Sequence, residues 1–442
     1  MAVSVPGTVS KSNPILRMSR PAADFFGIVG GADGGVCCRF GFAADCILRP
    51  LLAIAPGPSA PNSPGKLLEL LEFIPSVMFH TLLPRSLGKI FPRARKNVGI
   101  FPISIYDLVC HRGCIKFILG SAMLREILSS IRGINVLVVG DIMLDHYVIG
   151  DATRISPEAP VPVVAVERES YTLGASANVA LNVLSLGGNV ELCGAIGGDE
   201  AGTQLRGIFN ERGIKFSERF AKPSLGTIVK TRVVVRGQQL CRVDREQKKA
   251  AYILQSDSDL GYVESKIGES DAIILSDYNK GTLSGENVGR LINCARRQRK
   301  FIAMDPKPSN GIVFSGVDAM TPNKLEAMQL AGLSEEEEPS IGEICQKIHR
   351  KYSPRMLIIT LGQGGMLLSM GGEVDRIVPT FAREVYDVSG AGDTVIAALT
   401  MALAANKGVY DAMYFANTAA GVVVGKRGTA VARPEEILEF HG

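Results

Sequence analysis

Asp387-Val388-Ser389-Gly390-Ala391-Gly392-Asp393-Thr394 runs directly into an apolar stretch from Val395 to Leu403. A loop with two glycines that opens into a helix aims several backbone N–H groups at one point, and the positive end of the helix dipole adds to its attraction for an anion. Asp393 sets a carboxylate at the edge of that cradle. The amides of Ala391, Gly392 and Asp393, with Gly390 admitting the turn, would hold a phosphoryl group while Asp393 accepts the proton of the attacking hydroxyl. An ordinary helix start, in which the acid merely suits the dipole, is the competing reading, and the octet alone does not choose between them.

Chemistry of this kind needs a scaffold that brings distant polar groups to one place. From residue 121 onward strand and helix patterns alternate: Ile134–Val139, apolar but for Asn135, is suited to a buried parallel strand, and Ala175–Leu186 is a helix. Strands at Val190–Ile196, Ala272–Leu275, Phe301–Met304 and Met356–Leu361 follow. They alternate with helices at Gly202–Arg212, Gly285–Arg296, from Lys324, around Thr394–Ala405 and at Tyr410–Val424. Such alternation predicts a parallel sheet covered by helices on both faces. Val161–Glu167 and Thr227–Arg236 break the pattern; these β-branched segments fit a small β-sheet lid projecting over the site. Polar groups recur where strands end, which is where open α/β sheets bind ligands. They include Gly140-Asp141-Ile142-Met143-Leu144-Asp145, Ser276-Asp277-Tyr278-Asn279-Lys280-Gly281, Asp305-Pro306-Lys307, Thr321-Pro322-Asn323-Lys324-Leu325-Glu326 and Thr360-Leu361-Gly362-Gln363-Gly364-Gly365. Any one of them could be a cap or turn. Their repetition at successive strand ends favours a site.

The chain has 442 residues, with 48 basic against 44 acidic side chains, so charge gives no reason to expect nucleic acid or membrane partners. Residues 1–120 hold 13 of the basic and 6 of the acidic groups, a difference of +7, whereas residues 121–442 hold 35 and 38. The N-terminal part is rich in Pro and Gly and lacks a sustained period, which predicts a poorly structured extension over 1–122 ahead of one domain over 123–442. It reads either as a transit segment or as an upstream extension; a cytoplasmic body is expected. Cys193, Cys241, Cys294 and Cys345 show no paired spacing, as buried thiols in a reducing compartment would, and Cys110-x-x-x-Cys114 lacks the second pair of a zinc site.

With these residues in view, residues 130–442 resemble the ribokinase-like (PfkB) carbohydrate kinases, whose Asp-x-x-Gly-Ala-Gly-Asp signature is matched by Asp387–Asp393. The run Arg154-Ile155-Ser156-Pro157-Glu158-Ala159-Pro160-Val161-Pro162-Val163, with Leu275-Ser276-Asp277-Tyr278-x-Lys280-Gly281, is similar to the branch acting on D-glycero-D-manno-heptose 7-phosphate. The resemblance implies a three-layer ribokinase-like α/β fold with a β lid over about 154–170 and 227–244. It also implies phosphorylation of the anomeric hydroxyl by ATP with Mg²⁺, with ribose, fructose or a hexose phosphate as other acceptors in the family. Asp141, Asp145, Asn178 and Asp277 would then hold the sugar, and Arg154, Arg232, Arg242 and Lys280 its phosphate. Asn323 and Glu326 would place Mg²⁺ through water, Thr360, Gly362 and Gly365 would line the ATP phosphates, and Asn417 and Gly421 would form the adenine pocket. A K⁺ ion near the anion hole, a homodimer through the lid and a separate downstream adenylyltransferase are further implications. One departure stands out: where the family has Gly-Gly-Ala-Ala-Asn, this chain has Gly174-Ala175-Ser176-Ala177-Asn178.

Overall fold

The computed structural model describes residues 27–30, 36–39, 120–382, 385–426 and 428–440. Contacts divide the chain into two units, Met1–Asn62 and Ser63–Gly442. In the first, β1 (Gly27–Gly30) and β2 (Val36–Arg39) pair antiparallel; the rest of the expectation for residues 1–122 lies outside the described residues, save 120–122. Helix α1 (residues 120–130) takes in Met123 and buries it together with Leu124 and Ile127.

The second unit is built on a nine-stranded sheet. Its parallel strands are β3 (Asn135–Gly140), β6 (Asn189–Cys193), β8 (Lys215–Phe216), β12 (Ala272–Ser276), β13 (Phe301–Asp305), β14 (Ala319–Met320) and β15 (Met356–Thr360). Edge strands β16 (Met366–Met370) and β17 (Glu373–Val378) add antiparallel, giving the order β17-β16-β15-β14-β13-β12-β3-β6-β8. Alternate side chains enter two separate cores, as the two-residue period of a strand requires. Val136, Val138 and Ile274 pack with α1, α2 (Ser176–Ser185), α3 (Glu200–Arg212), α8 (Ala391–Ala404), α9 (Val409–Val424) and α10 (Pro434–Phe440). On the other face Leu137, Val139, Ile273 and Leu275 meet α4 (Asp257–Glu269), α5 (Gly285–Arg297), α6 (Lys324–Leu330) and α7 (Ile341–Tyr352). Coverage on both faces is why residues 136–139 are unbroken hydrophobic sequence.

The lid comprises β4 (Ile142–Ile155), β5 (Pro162–Ala175), β10 (Ile228–Val235) and β11 (Gln238–Arg245) in the order β11-β10-β4-β5. It begins at Ile142, twelve residues before the expected 154, because β3 continues through Asp141 alone into β4. Arg236 (φ 50) and Gly237 (φ 81) form the left-handed two-residue turn that joins β10 to β11. A short parallel pair, β7 (Ile196–Gly197) with β9 (Ala221–Lys222), completes the strands; the expected strand Val190–Ile196 is therefore interrupted at Gly194.

Strand β3 lies between β6 and β12, so the chain reverses its direction of travel across the sheet there, which is where α/β sheets open a ligand crevice. Gly140 and Ser276 are paired at the carboxyl ends of β3 and β12. A Cβ on Gly140 would stand 2.0 Å from the Ser276 carbonyl oxygen, so glycine alone lets the two chains approach.

Candidate active site

Helix α8 begins where the glycine loop predicted. Gly390 caps it in the left-handed region (φ 81), and a Cβ there would fall 2.9 Å from the Asn178 Nδ2. A helix leaves its first N–H groups unpaired. Here the Ala391 N–H turns back to the Val388 carbonyl at 3.2 Å, which corrects the expected three-amide cradle to the amides of Gly392 and Asp393. Around Gly392 a Cβ would meet nothing within 4 Å. The loop is held from below by Asp387, whose carboxylate accepts from the Ser389 N–H at 2.9 Å and the Gly428 N–H at 3.0 Å. Burial pushes this carboxyl upward, but those hydrogen bonds outweigh it and keep it below the usual range.

Asp393 is 4 % exposed and clamped on both oxygens. Oδ2 accepts from Asn178 Nδ2 at 2.6 Å, and Oδ1 accepts from the Tyr278 hydroxyl. Burial raises its carboxyl to about 6, against the pull of the Tyr278 and Asn178 hydrogen bonds and of Lys307. That value suits a base that must be ionised near neutrality yet remain basic. Asn178, expected as a sugar ligand, thus orients the Asp393 carboxylate through its amide nitrogen; its buried Oδ1 has no hydrogen-bond partner among the described residues.

Two of the expected sugar ligands do different work. Asp141 is 0 % exposed, and its carboxylate accepts from the backbone N–H groups of Tyr278, Lys280 and Thr282, each at 2.9 Å. Asp277 accepts from the Asn279 N–H at 2.7 Å, the Lys307 N–H at 3.3 Å and the Asn310 amide at 3.1 Å, and burial raises it to about 6. Both acids shape the loop that carries Tyr278 and are buried within it.

Lid register collects the charges. Asp145 lies beside Lys230, and Lys230 beside Asp244; in the next row Tyr147, Arg232 and Arg242 are neighbours. These alternate positions share one face of the lid. Arg232 Nη1 bonds Asp145 Oδ1 at 2.6 Å, Arg242 grips Asp244 through Nε at 2.8 Å and Nη2 at 3.0 Å, and Lys280 Nζ meets Glu246 at 2.5 Å. Lys230, which sequence reasoning passed over, is lowered by burial and by the neighbouring charges of Lys280 and then Arg242. Arg154 is a correction: it is exposed near the far end of β4, nine positions from Asp145 and opposite Val163. At about 3.3 Å per residue it stands roughly 30 Å along the strand, too far to serve this site.

On the opposite side, Asn323 and Glu326 form a capping box on α6, with the Asn323 Oδ1 accepting the Glu326 N–H and Glu326 Oε2 accepting the Asn323 N–H, both at 2.9 Å. Thr360 bridges to Asn323 at the end of β15. Gly362 opens the tight turn that follows, and Gly365 (φ 89) closes it where a Cβ would strike the Val378 carbonyl at 2.0 Å. Asn417 donates to the Pro379 carbonyl at 2.6 Å, and Gly421, one turn on, lies where a Cβ would come 2.9 Å from the Phe440 ring. Two members of the site were quoted in motifs without a role, Tyr278 and Lys307. The latter bonds Glu326 Oε1. Asp305, beside it, is pushed well above the carboxylate range by burial, with Lys307 opposing.

Ala175, at the departure from the family pattern, takes φ 54 and ψ −132 at the N-cap of α2. This is a conformation that glycine adopts freely and alanine does not.

The family described as pfkB family carbohydrate kinase matches residues 134–436. The chain is 41% identical over 303 residues to the bifunctional protein HldE of Helicobacter pylori, covering 69% of this chain and 65% of that one. It is 40% identical over 313 residues to HldE of Geobacter metallireducens, covering 70% and 64%; it thus spans less than two thirds of the length of these relatives. Among solved structures, Arabidopsis thaliana ribokinase complexed with ribose and ATP superposes with a TM-score of 0.55 at 18% identity, over 70% of this chain and 99% of that one, a likeness of fold. With a matched region that contains the glycine loop, its base and the lid, the chain belongs to the pfkB family of carbohydrate kinases.

Proposed function

We propose that this kinase transfers the γ-phosphoryl group of ATP to the anomeric hydroxyl of D-glycero-D-manno-heptose 7-phosphate, giving the 1,7-bisphosphate. The observation that carries the anionic substrate is a half-buried Lys230 on the same lid face as Arg242, with Lys280 on the loop after β12 near enough to act on it: burial first, and then the charge of Lys280, hold Lys230 below its ordinary range. A lysine partly desolvated in this way is suited to an anion, and a terminal sugar phosphate supplies close to two negative charges. The likeness of Arg154–Val163 to heptose 7-phosphate kinases and the relation to HldE proteins support the same acceptor.

In this reading the sugar lies between the lid and α8. Asp145 and the Asn178 Oδ1 accept its hydroxyls, and Asp393 removes the anomeric proton. The amides of Gly392 and Asp393 hold the phosphoryl oxygens, each worth on the order of 3 kcal/mol in the transition state. Among the described residues no three His, Cys, Asp or Glu side chains form a metal cage. Glu326, already fixed by its capping box, would therefore hold Mg²⁺ through water, as suits an ion bound mainly by substrate phosphates. The ion would neutralise charge on the β- and γ-phosphates. K⁺ beside the Asp387 loop and dimerisation through the lid, where Val166 is 53% and Val243 58% exposed, belong to the same reading.

A coupled ADP-release assay on the full chain with a panel of sugars and sugar phosphates tests it. Heptose 7-phosphate should give the highest kcat/KM, and preferred turnover of ribose or fructose would refute the assignment.

A further inference from the structure

Lys307 follows Pro306 at the end of β13. Its ammonium bonds Glu326 Oε1 and stands 5.4 Å from the centre of the Tyr278 ring, whose hydroxyl donates to Asp393. One cation therefore connects the capping box on the ATP side with the catalytic base. Its side chain keeps 29% of its surface exposed, so it is reachable from the cleft.

Three features indicate more than a static ion pair. The capping box survives without Lys307, because Glu326 Oε2 and the Asn323 Oδ1 still exchange their two backbone hydrogen bonds. The backbone of Lys307 is anchored separately, by its N–H to Asp277. Charge supplies the third. Asp305, Glu326 and Asp393 all act electrostatically on Lys307, and they outweigh burial to keep it an ammonium. A triphosphate entering beside Glu326 and Asp393 would meet like charge that Lys307 offsets. The lid cations Arg232 and Arg242, and Lys280 on the loop after β12, are engaged with Asp145, Asp244 and Glu246.

We propose that Lys307 is a further catalytic residue, which leaves Glu326 when the triphosphate binds and grips a γ-phosphoryl oxygen throughout transfer. The inference rests on the kinase reading above and deepens it. In the step, the acceptor hydroxyl gives its proton to Asp393 and its oxygen forms the bond to the γ-phosphorus. The bond from that phosphorus to the β-phosphate oxygen breaks, and its electron pair leaves with ADP. Lys307 keeps its three protons and offsets the charge that moves past it.

Calorimetry on the full chain separates this from failure of the sugar assignment, since no sugar is present. Mg²⁺ complexes of ADP and of the β,γ-imido analogue of ATP are titrated into wild type, Lys307→Met and Lys307→Arg. Lys307→Met should weaken the analogue roughly 10- to 100-fold, the range of a charge-assisted hydrogen bond, and leave ADP within about threefold. Equal weakening of both nucleotides would make Lys307 a structural element of the site, and no weakening of either would leave it with Glu326; each result overturns the proposal. Should Lys307→Met fail to fold, Lys307→Arg decides: it should still bind the triphosphate analogue better than ADP, and a folded Lys307→Arg protein without that preference overturns the idea equally.

Discussion

Tyr278→Phe isolates one hydrogen bond to the base. Its phenol donates to Asp393 Oδ1 and is the strongest of the groups that pull the buried carboxyl down toward about 6. Phenylalanine keeps the ring beneath Lys307 and removes only the hydroxyl. A hydrogen bond to a charged group contributes about 1.5–3 kcal/mol, which at about 1.36 kcal/mol per pKa unit is roughly one to two units. Loss of the bond favours the protonated base, so the acid limb of the kcat profile should move from near 6 to about 7–8. At pH 7 the variant would then turn over at roughly half to a tenth of the wild-type rate, and above about pH 9 the two should converge. Tyr278 itself is held well above its ordinary 10 by burial and then by Asp393, so its own ionisation does not cloud that range. The assay is ADP release at saturating substrates from pH 5.5 to 9.5. An acid limb that stays in place or moves downward, or a loss uniform across pH, would refute the reasoning.

Asp393→Asn should retain nucleotide binding by calorimetry and lose kcat by roughly a hundredfold or more, because only the proton acceptor is removed. The same variant tests linkage. A carboxyl raised from 3.8 to about 6 contributes stability below pH 4 that is lost as pH rises through 6, so the variant should melt higher than wild type above pH 6 and lose that advantage below pH 4. Lys230→Met should raise KM for a phosphorylated sugar roughly 10- to 100-fold and leave KM for ATP unchanged in steady-state kinetics. Ala175→Gly relieves a left-handed strain of about 1–3 kcal/mol at an entropic cost of about 0.5–1, so urea unfolding should show a gain near 1 kcal/mol.

What the sequence made legible was local. The glycine loop, its helix and the buried strands each rest on a few consecutive residues, and each appears where expected. Asp141 and Asp277 show the limit of this: a carboxylate at a strand end looks the same in sequence whether it faces a sugar or a loop. The N–H groups that occupy Asp141 come from 137 to 141 positions away. Arg154 failed for a related reason: motif adjacency does not say how far a 14-residue strand carries its end from the site. Lys230 becomes significant only through the pairing of β10 with β4 and β11. Helices α4 and α7 did leave local traces, Ser256 before Leu260, Val263 and Ile267, and Ser340 before Ile344 and Ile348, each a cap followed by helical spacing.

The lid draws its strands from two separate stretches of chain, and register sets Lys230, Arg232 and Arg242 together on one charged face of it. In the proposed reading, substitutions of Lys230 or Arg242 would redirect which sugar is accepted, whereas Arg232 also neutralises the buried Asp145, and Asp393, its two clamps and the glycine loop are embedded in the scaffold. Natural variation in acceptor choice should therefore accumulate on β10 and β11, while the phosphoryl-transfer apparatus stays fixed beneath them.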